Sequence, residues 1–258
     1  MSMLKEIIIA IQSFFVAHLF IAKHRLWKWI LIPGICYVLL FALGIWFFWI
    51  TSNHVTQLIL TQTGIRPWLD TMKTGWLNFF VIVGQIIIWM VILMFYFSLF
   101  KYLFLIIGSP VFAWLSEKTD SILHEKDFPF SAKQLVKDMG RAIQINLRNL
   151  LWQSVYFLTI FILAFIPLIG WIAPLIGLMV EFFYFGFAML DYNFERNKIS
   201  PKQSIFIINR HKGLAIGNGL VFYAMHLIPL LGWVLAPSYA VVAATLSIET
   251  AKKKNIII

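Results

Sequence analysis

The sequence predicts an all-α integral membrane protein. Hydrophobic residues make up 61% of its 258 residues and charged residues only 12%, whereas an average soluble domain has about 25% charged residues. A soluble globule of this size could not bury so much apolar surface. Two further observations support this class: uncharged stretches long enough to cross a bilayer, and a proline-containing segment that occurs twice in apolar surroundings.

The formal net charge of +10 would suggest a nucleic-acid partner in a soluble protein. In a membrane protein, basic residues are instead retained on the cytoplasmic side, where they face anionic lipid. We therefore expect membrane lipids, and no nucleic acid, as partners. Cys36 is the single cysteine, so neither a disulfide framework nor a cysteine-based metal site can form within one chain.

Residues 1–25 predict an amphipathic helix that lies in the membrane interface. The acidic Glu6 and the lack of a small-residue cleavage site disfavour a signal peptide, and a short first span is the alternative. His18 lies opposite the polar face of this helix. At about 100° per residue, the other polar residues share one third of the helical wheel: Ser2, Lys5, Glu6, Gln12, Ser13, Lys23 and His24.

Two uncharged stretches predict long transmembrane helices, at residues 29–50 and 76–107. The first is about 33 Å long, and Pro33 lies in its first turns, where proline is tolerated. The second is about 48 Å long, more than a bilayer core of about 30 Å, and should tilt or project from it. We expect residues 51–75 to form a loop or cap on the far side, and Gly108–Pro110 to break the second helix.

Residues 110–149 predict cytoplasmic amphipathic helices. Ser131 and Gln134 have the spacing of a capping box at the start of the second one. The basic residues that follow at helical spacing form either a solvated, headgroup-facing stripe or a surface that collects anions. They are Lys133, Lys137, Arg141 and Arg148.

The segment IPLIGWIAP, residues 166–174, returns as IPLLGWVLAP, residues 228–237. Without these helix breakers, the flanking arms are about 24 Å long in residues 150–190 and about 21 and 16 Å long in residues 214–248. A span needs about 20 residues, or about 30 Å. We therefore predict two re-entrant, hemi-penetrating helical hairpins over these ranges. Their tips contain Pro167, Gly170, Pro174, Pro229, Gly232 and Pro237.

The same offset places Arg148 over Arg210, just before each hairpin. The two hairpins therefore enter the membrane in the same direction, as a parallel repeat of the kind from which transporters build sites. Pro174 and Pro237 are predicted to be the first residues of the returning half-helices. The positive ends of those helix dipoles would point into the membrane, which favours an anion ligand, with Arg148 and Arg210 among its contacts.

Glu181 lies well inside the first hairpin, where an ionisable residue is a candidate functional group by default. It is predicted to form an intramembrane ion pair with Arg148 or Arg210, and a structural tie is the alternative. The glycine-rich segment 213–219, flanked by Arg210 and Lys212, has two interpretations. It allows close helix packing, or it offers backbone N–H groups to an anion at a helix start.

Asp191 and Glu195, at the exit of the first hairpin, are predicted to be interfacial and to pair with Arg196 or Lys198. The motifs of common enzyme classes are missing, and the six histidines show no metal-ligand spacing. The sequence therefore predicts a protein that is not an enzyme, with no catalytic residues, no metal and no cofactor.

The charges also predict the orientation. On this topology Arg66 and Lys73 are the bases on the far side, and all other lysines and arginines lie on the near side. An asymmetry of this size predicts that both termini are cytoplasmic. Subunits with two full spans make a poor pore alone, so we expect a homo-oligomer.

Four stretches resemble a known family over nearly the whole chain: WILIPG, GSPVFAWLSEK, LDYNFERNKISPKQS and IPLLGWVLAPSYAVVAATL. They are similar to the CysZ sulfate permeases and their etoposide-induced eukaryotic relatives. The resemblance implies a multi-pass protein of the bacterial cytoplasmic (inner) membrane. It also implies permeation of sulfate or a related oxyanion for cysteine biosynthesis.

In the bacterial permeases that the chain resembles, a Gly-x-Arg-Arg-Phe motif precedes the proline of the first span and is associated with sulfate. Counted back from Pro33, the glycine falls on Arg25, the arginine pair on Trp27 and Lys28, and the phenylalanine on Trp29. One base of the pair remains, and a lysine lacks the planar fork of arginine. The resemblance implies Lys28 and Arg25 as anion contacts.

Two other functions compete with the permease. Half-inserted hairpins and an interfacial first helix would also suit a non-transporting membrane-shaping or scaffold protein of the same family. An intramembrane enzyme that acts through Glu181 is a third hypothesis, although no partner residues for such chemistry are evident in the sequence.

Overall fold

The computed structural model describes residues 2–62, 77–126, 132–164, 169–197 and 199–256. These residues form eight helices joined by turns, which confirms the all-α class. The helices are α1 (Met3–Lys23), α2 (Trp27–Gln62), α3 (Leu77–Leu123), α4 (Ala132–Ala164), α5 (Ile169–Arg196), α6 (Pro201–Arg210), α7 (Lys212–His226) and α8 (Leu231–Lys253).

Among the described residues, five segments are long and apolar enough to cross a membrane, by length and composition: Met3–Lys23, Trp27–Thr51, Ser98–Leu123, Ile172–Glu195 and Leu231–Lys253. The chain is therefore a multi-pass membrane protein. The predicted span 29–50 lies wholly within the segment on α2, and the predicted span 76–107 overlaps the segment on α3 from residue 98 to residue 107. The set also includes α1, for which the sequence left a short span as the alternative.

The chain divides into two compact units, of which the second is Leu39–Leu103 and the first is the rest of the chain. Within the second unit, α2 and α3 pack through aromatic side chains around Gly44. The Tyr96 hydroxyl donates a hydrogen bond to the Gly44 carbonyl oxygen, and the Phe48 ring centroid lies 5.0 Å from that of Tyr96. A Cβ at Gly44 would come within 3.1 Å of the Phe100 ring, so this glycine sets the approach of the two helices.

Both long helices extend further than the sequence predicted. Helix α2 continues to Gln62, so the loop predicted from residue 51 is wrong up to that point. Helix α3 runs through Gly108–Pro110 to Leu123, so the predicted break is also wrong. Pro110 has no N–H to donate to the carbonyl oxygen four residues earlier, which is that of Ile106. The Ser109 hydroxyl donates to this oxygen instead, at 2.8 Å, and a serine can in this way restore a proline-interrupted helix.

Helix α8 is the central helix of the first unit, and α1, α5 and α7 pack around it. Its side chains are buried almost without interruption from Ala236 to Ile248. Most of them are small, so neighbouring backbones can approach α8 on every face, as in other membrane helix bundles. A polar contact links α3 to α8, in which the Ser116 and Thr245 hydroxyl oxygens lie 3.2 Å apart.

Glycines let α7 lie in backbone contact with both α5 and α1. A Cβ at Gly186 of α5 would lie 1.9 Å from the Ala215 carbonyl oxygen, and a Cβ at Gly219 would lie 2.0 Å from that of Phe182. On the α1 side, a Cβ at Gly217 would lie 2.8 Å from the Ile7 carbonyl oxygen. Close helix packing, the first interpretation of the glycine-rich segment, is therefore what the structure shows.

The returning helices begin before their prolines. Helix α5 begins at Ile169 and α8 at Leu231, so the prediction that Pro174 and Pro237 are first helical residues is wrong. Both prolines lie in the second turn, where each leaves a carbonyl oxygen of the first turn without its helical donor. Residues 165–168, which include the predicted tip residue Pro167, lie outside the described residues.

The second hairpin turns between α7 and α8 at Pro229 and Leu230. Leu230 adopts a left-handed conformation with φ of 62°, which costs a non-glycine residue conformational energy. A Cβ at Gly232 would lie 1.8 Å from the Met225 carbonyl oxygen. Since only glycine fits there, the Gly-Trp of the repeated segment serves to close this turn.

Helix α1 directs part of its polar face toward the protein. Glu6 and Ser13 are buried, and the Ser13 hydroxyl donates to the Ile9 carbonyl oxygen at 2.8 Å. The opposite side exposes large apolar residues. They are Leu4, Ile8, Phe15, Val16 and Leu19. The outer surface of α1 therefore suits contact with lipid.

Replacing Gly186 with alanine should destabilise the first unit, because the new Cβ would overlap a backbone oxygen that no rotamer change can move. Overpacking costs about 1–3 kcal/mol, and this overlap should reach the upper end. The matched control is Gly177→Ala on the same helix, where a Cβ meets nothing within 4 Å and a helical alanine is neutral or favourable. Denaturant titration in detergent micelles would measure both, and equal stabilities would contradict the packing described.

Candidate functional site

A buried ion pair joins α4 to the end of α5. The Arg141 guanidinium donates two hydrogen bonds to Asp191, from Nη2 to Oδ1 at 2.9 Å and from Nε to Oδ2 at 3.2 Å. Its Nη1 donates to the Ile199 carbonyl oxygen. The two charged side chains are 12% and 4% exposed. Such bidentate pairing in a poorly solvated place is strong and directional.

Further acidic groups surround this pair. The Ser204 hydroxyl donates to Asp191 Oδ1, and Glu195 Oε1 lies 3.8 Å from Arg141 Nε. The sequence predicted Arg196 or Lys198 as the partners of these carboxylates. The structure places Arg141 beside both, and the Arg196 side chain and Lys198 lie outside the described residues. Ser204 belongs to α6, so the network ties together three helices.

Asp138 lies one turn before Arg141 on α4 and is also buried. It accepts a hydrogen bond from Gln134 Nε2 at 2.6 Å. Burial raises the pKa of Asp138, although the hydrogen bond from Gln134 and the positive charges of Lys137 and Arg141 act in the opposite direction. Three carboxylates therefore share Arg141, which makes this end of the bundle an unfavourable place for an external anion.

A second group of polar contacts lies further along α4, between Arg148 and Gln153, where α4 packs against α5. Gln153 Nε2 donates to Glu181 Oε2 at 2.7 Å, and Gln153 is fully buried. Arg148 Nη1 donates to Asn149 Oδ1 at 2.9 Å, and its guanidinium lies 5.8 Å from the centroid of the Phe187 ring. One contact of Glu181 is therefore with the Gln153 amide. The ion pair of Glu181 with Arg148 or Arg210 stays a prediction.

The start of α7 is in contact with the carboxylate of Glu6, a residue of α1. Glu6 Oε1 lies 2.8 Å from His211 Nδ1, and Glu6 Oε2 accepts a hydrogen bond from the Gly213 N–H at 3.0 Å. A Cβ at Gly213 would lie 2.4 Å from the Met3 carbonyl oxygen, so glycine is what lets α1 come this close. The second interpretation of segment 213–219, a helix start open to an external anion, is therefore wrong.

Basic side chains remain exposed at the turn between α1 and α2. Lys23, Arg25 and Lys28 are all exposed, and Arg25 has a φ of 53°, which turns the chain between the helices. Burial and the neighbouring Lys23 charge lower the pKa of His24, so this histidine is neutral at pH 7. The positive charge of the turn therefore comes from three side chains.

The structure separates the four predicted anion contacts. Arg25 and Lys28 share the turn after the last residue of α1. Arg210 is exposed at the end of α6, beside the His211 that contacts Glu6 near the first turn of α1. Helix α1 rises about 26 Å between Glu6 and Lys23, its last residue. One anion therefore cannot touch both ends, and the half-buried Arg148 lies at a third place, against α5.

The sequence analysis missed a cluster that joins α3 to α8, formed by Asp120, His124 and Glu249. The spacing of Asp120 and His124, four residues apart, places them on one helix face and could have been noticed. Glu249 lies far away in sequence, and only the packing of the two helices reveals it.

The fold and these contacts define the class of protein: a multi-pass α-helical membrane protein in which several carboxylates, among them Glu6, Asp191 and Glu195, are buried in ties between helices. Within the part of the chain that the structure describes, the α1–α2 turn combines exposed bases with the end of an apolar helix.

Sequence comparison identifies the family. The pattern of the family described as Sulfate transporter CysZ/Etoposide-induced protein 2.4 matches residues 13–237, and the chain belongs to this family. A relative from Pseudomonas aeruginosa named Sulfate transporter CysZ is 26% identical over 228 residues, which cover 88% of each chain. A relative of the same name from Pseudomonas syringae pv. tomato is 28% identical over 185 residues, 69% of this chain and 72% of the relative. The resemblance stated from the sequence motifs is confirmed.

Replacing Arg141 with alanine should lower the free energy of unfolding by about 3–5 kcal/mol, because it leaves buried carboxylates uncompensated. Lys137→Ala is the matched control: it removes an exposed base one turn earlier on the same helix and should change stability by about 0.5 kcal/mol or less. The double variant Arg141→Met with Asp191→Leu should recover part of the loss. Denaturant titration in detergent would contradict this account if the two single variants were equally stable.

Proposed function

We propose that this protein transports sulfate or a related oxyanion across the bacterial cytoplasmic membrane and so supplies sulfur for cysteine biosynthesis. The observation that carries this proposal is the relationship to proteins named Sulfate transporter CysZ, which extends over 88% of both chains. The family match over residues 13–237 includes the α1–α2 turn, both long helices and both proline-containing segments.

Arg25 and Lys28 are the proposed first contacts of the anion. Both are exposed, and they lie close together in sequence at the turn between two apolar helices. The exposed Lys23 adds to their positive potential, which would concentrate oxyanions at this turn. Arg148 and Arg210 are proposed as separate contacts, since each lies at the start of a hairpin and at a distance from the turn.

The α7–α8 hairpin is proposed to enter the membrane and return to the same side. Helix α7 has 15 residues, about 22 Å, which is short of a bilayer core of about 30 Å. The tip exposes apolar side chains, with Leu227 and Leu231 82% and 68% exposed. The N–H groups of Leu227, Ile228, Leu231 and Gly232 donate within the turn, and Pro229 has none. A tip with these four donors satisfied and with outward leucines is suited to hydrocarbon.

The residue charges support cytoplasmic termini, because all bases except Arg66 and Lys73 fall on one side of the proposed topology. A homo-oligomer is proposed because the two long spans of one chain are too few to surround a pore.

Cysteine labelling in sealed vesicles tests the hairpin, in a Cys36→Ser background. Leu230→Cys should resist a membrane-impermeant maleimide from both sides, since the proposed tip lies within hydrocarbon. Lys202→Cys and Lys254→Cys, both exposed positions outside the hairpin, should react from the same side. Reaction after solubilisation in SDS verifies that each thiol is present. Labelling of Leu230→Cys from the side opposite to Lys254→Cys would refute the re-entrant topology.

Radiolabelled sulfate uptake into proteoliposomes tests the transport proposal. Sulfate uptake by native protein should exceed uptake by empty vesicles. In the double variant Arg25→Gln with Lys28→Gln, uptake should fall at least about fivefold, because two exposed charge contacts together contribute about 1 kcal/mol or more to anion binding. Lys254→Gln removes an exposed base elsewhere and should leave uptake unchanged. Transport fails as a proposal if purified native protein moves neither sulfate nor sulfite above the level of empty vesicles.

A non-transporting, membrane-shaping protein is the second candidate function. The observation in its favour is the apolar outer face of α1, which exposes Phe15 and Leu19 by 73% and 69%. An apolar helix face that lies in one leaflet expands that leaflet. Tubulation of vesicles without sulfate flux would favour this function, and flux without deformation would exclude it.

A further inference from the structure

We propose that Asp120, His124 and Glu249 form a binding site for a divalent transition-metal ion, with Zn²⁺ as the expected occupant. The proposal is independent of sulfate transport. It rests on the geometry of the cluster, on the packed helix pair that carries it and on the chemistry of its side chains.

The candidate ligand atoms already lie near metal-binding separations. His124 Nδ1 lies 3.0 Å from Asp120 Oδ1, and His124 Nε2 lies 3.3 Å from Glu249 Oε2. One ligand atom from each of the three residues falls within 4.8 Å of the other two. With Zn–N and Zn–O distances of about 2.0–2.2 Å, ligand atoms around a tetrahedral zinc ion are about 3.3 Å apart. The two His124 contacts use opposite nitrogens of the ring, so an ion would bind one of these nitrogens. Rotation of the more distant carboxylate would then bring its oxygen from at most 4.8 Å to the separation that zinc requires.

The backbone holds these residues in place without a metal. Helix α3 ends in a Schellman turn, in which Glu125 has a φ of 50° and the Lys126 N–H donates to the Ser121 carbonyl oxygen at 3.0 Å. His124 is fixed by this turn. About two turns earlier, the contact between the Ser116 and Thr245 hydroxyls already joins α3 to α8. The two ligand-bearing helices are thus packed before a cation binds.

The ligand types select the class of ion. An imidazole with two carboxylates suits Zn²⁺ and other late first-row divalent metals, whereas Mg²⁺ and Ca²⁺ take oxygen ligands. Three protein ligands leave a fourth position for water. The His124 and Glu249 side chains are 36% and 14% exposed, so an ion can reach the cluster from solvent.

Lys252 distinguishes a metal site from a simple ion-pair cluster. Its Nζ lies 3.2 Å from Glu249 Oε1, where the ammonium competes with a cation for the same carboxylate. A bound Zn²⁺ would displace it. Removing this charge should therefore strengthen metal binding, whereas in a cluster held only by ion pairs Lys252→Gln would have no effect on a metal.

The experiment uses the purified full-length protein in detergent, stripped with a chelator and titrated with Zn²⁺ against a fluorescent competitor. We expect one competing site per chain. Binding should weaken at least about tenfold in His124→Ala and in Glu249→Gln, because metal affinity falls by about 10–100-fold even when supporting groups are lost. It should strengthen severalfold in Lys252→Gln. His54→Ala removes an exposed histidine on α2 and should leave the affinity unchanged.

Direct ligation is tested with His124→Cys in a Cys36→Ser background. Co²⁺ should then produce a thiolate-to-metal charge-transfer band, which requires the residue at position 124 to touch the metal. This readout holds even if the alanine variant folds poorly. Retention of native affinity in both His124→Ala and Glu249→Gln would overturn the proposal, as would Zn²⁺ binding too weak to compete with the indicator or the absence of the cobalt band.

Discussion

Backbone contact along α7 is the constraint on which the first unit depends. Gly186 on α5 and Gly217 on α7 remove the side chains that would separate three helices, and each contact is with a main-chain oxygen that cannot move aside. Once α7 lies against α1 and α5 in this way, α8 is enclosed and its small side chains fill the centre. In a bilayer, where lipid tails are as apolar as leucine, such close packing supplies attraction that hydrophobicity alone cannot.

The buried charges follow from the same closeness. Glu6 is satisfied by the start of α7, and Asp191 by Arg141 and Ser204. Each carboxylate thus has its partners within the chain and acts as a tie between helices. An external anion must therefore meet bases that are not engaged in this way, and at the α1–α2 turn Arg25 and Lys28 are exposed. This division separates the groups that hold the protein together from those proposed to hold its substrate.

Much of the architecture could be predicted because it depends on composition and local periodicity. The helical class, the first long span with Pro33 in its first turns and the family all follow from stretches of adjacent residues. The continuation of α3 through Pro110 could not, because it depends on the rotamer of one hydroxyl, that of Ser109. The partners of Asp191 and Glu6 could not either, because they lie 50 and more than 200 residues away and are brought near only by tertiary packing.

The link between Glu6 and Gly213 has a consequence for the order of biosynthesis. The two residues are 207 positions apart, which a ribosome that adds about 5–20 residues per second covers in about 10–40 s. During that time α1 carries a carboxylate with no helix start to receive it, and an uncompensated charge is costly in hydrocarbon. The nascent α1 should therefore remain at the membrane surface, where water solvates Glu6. Helix α1 reaches its final position only after α7 has left the ribosome. The first helix to be synthesised is therefore among the last to pack into the bundle.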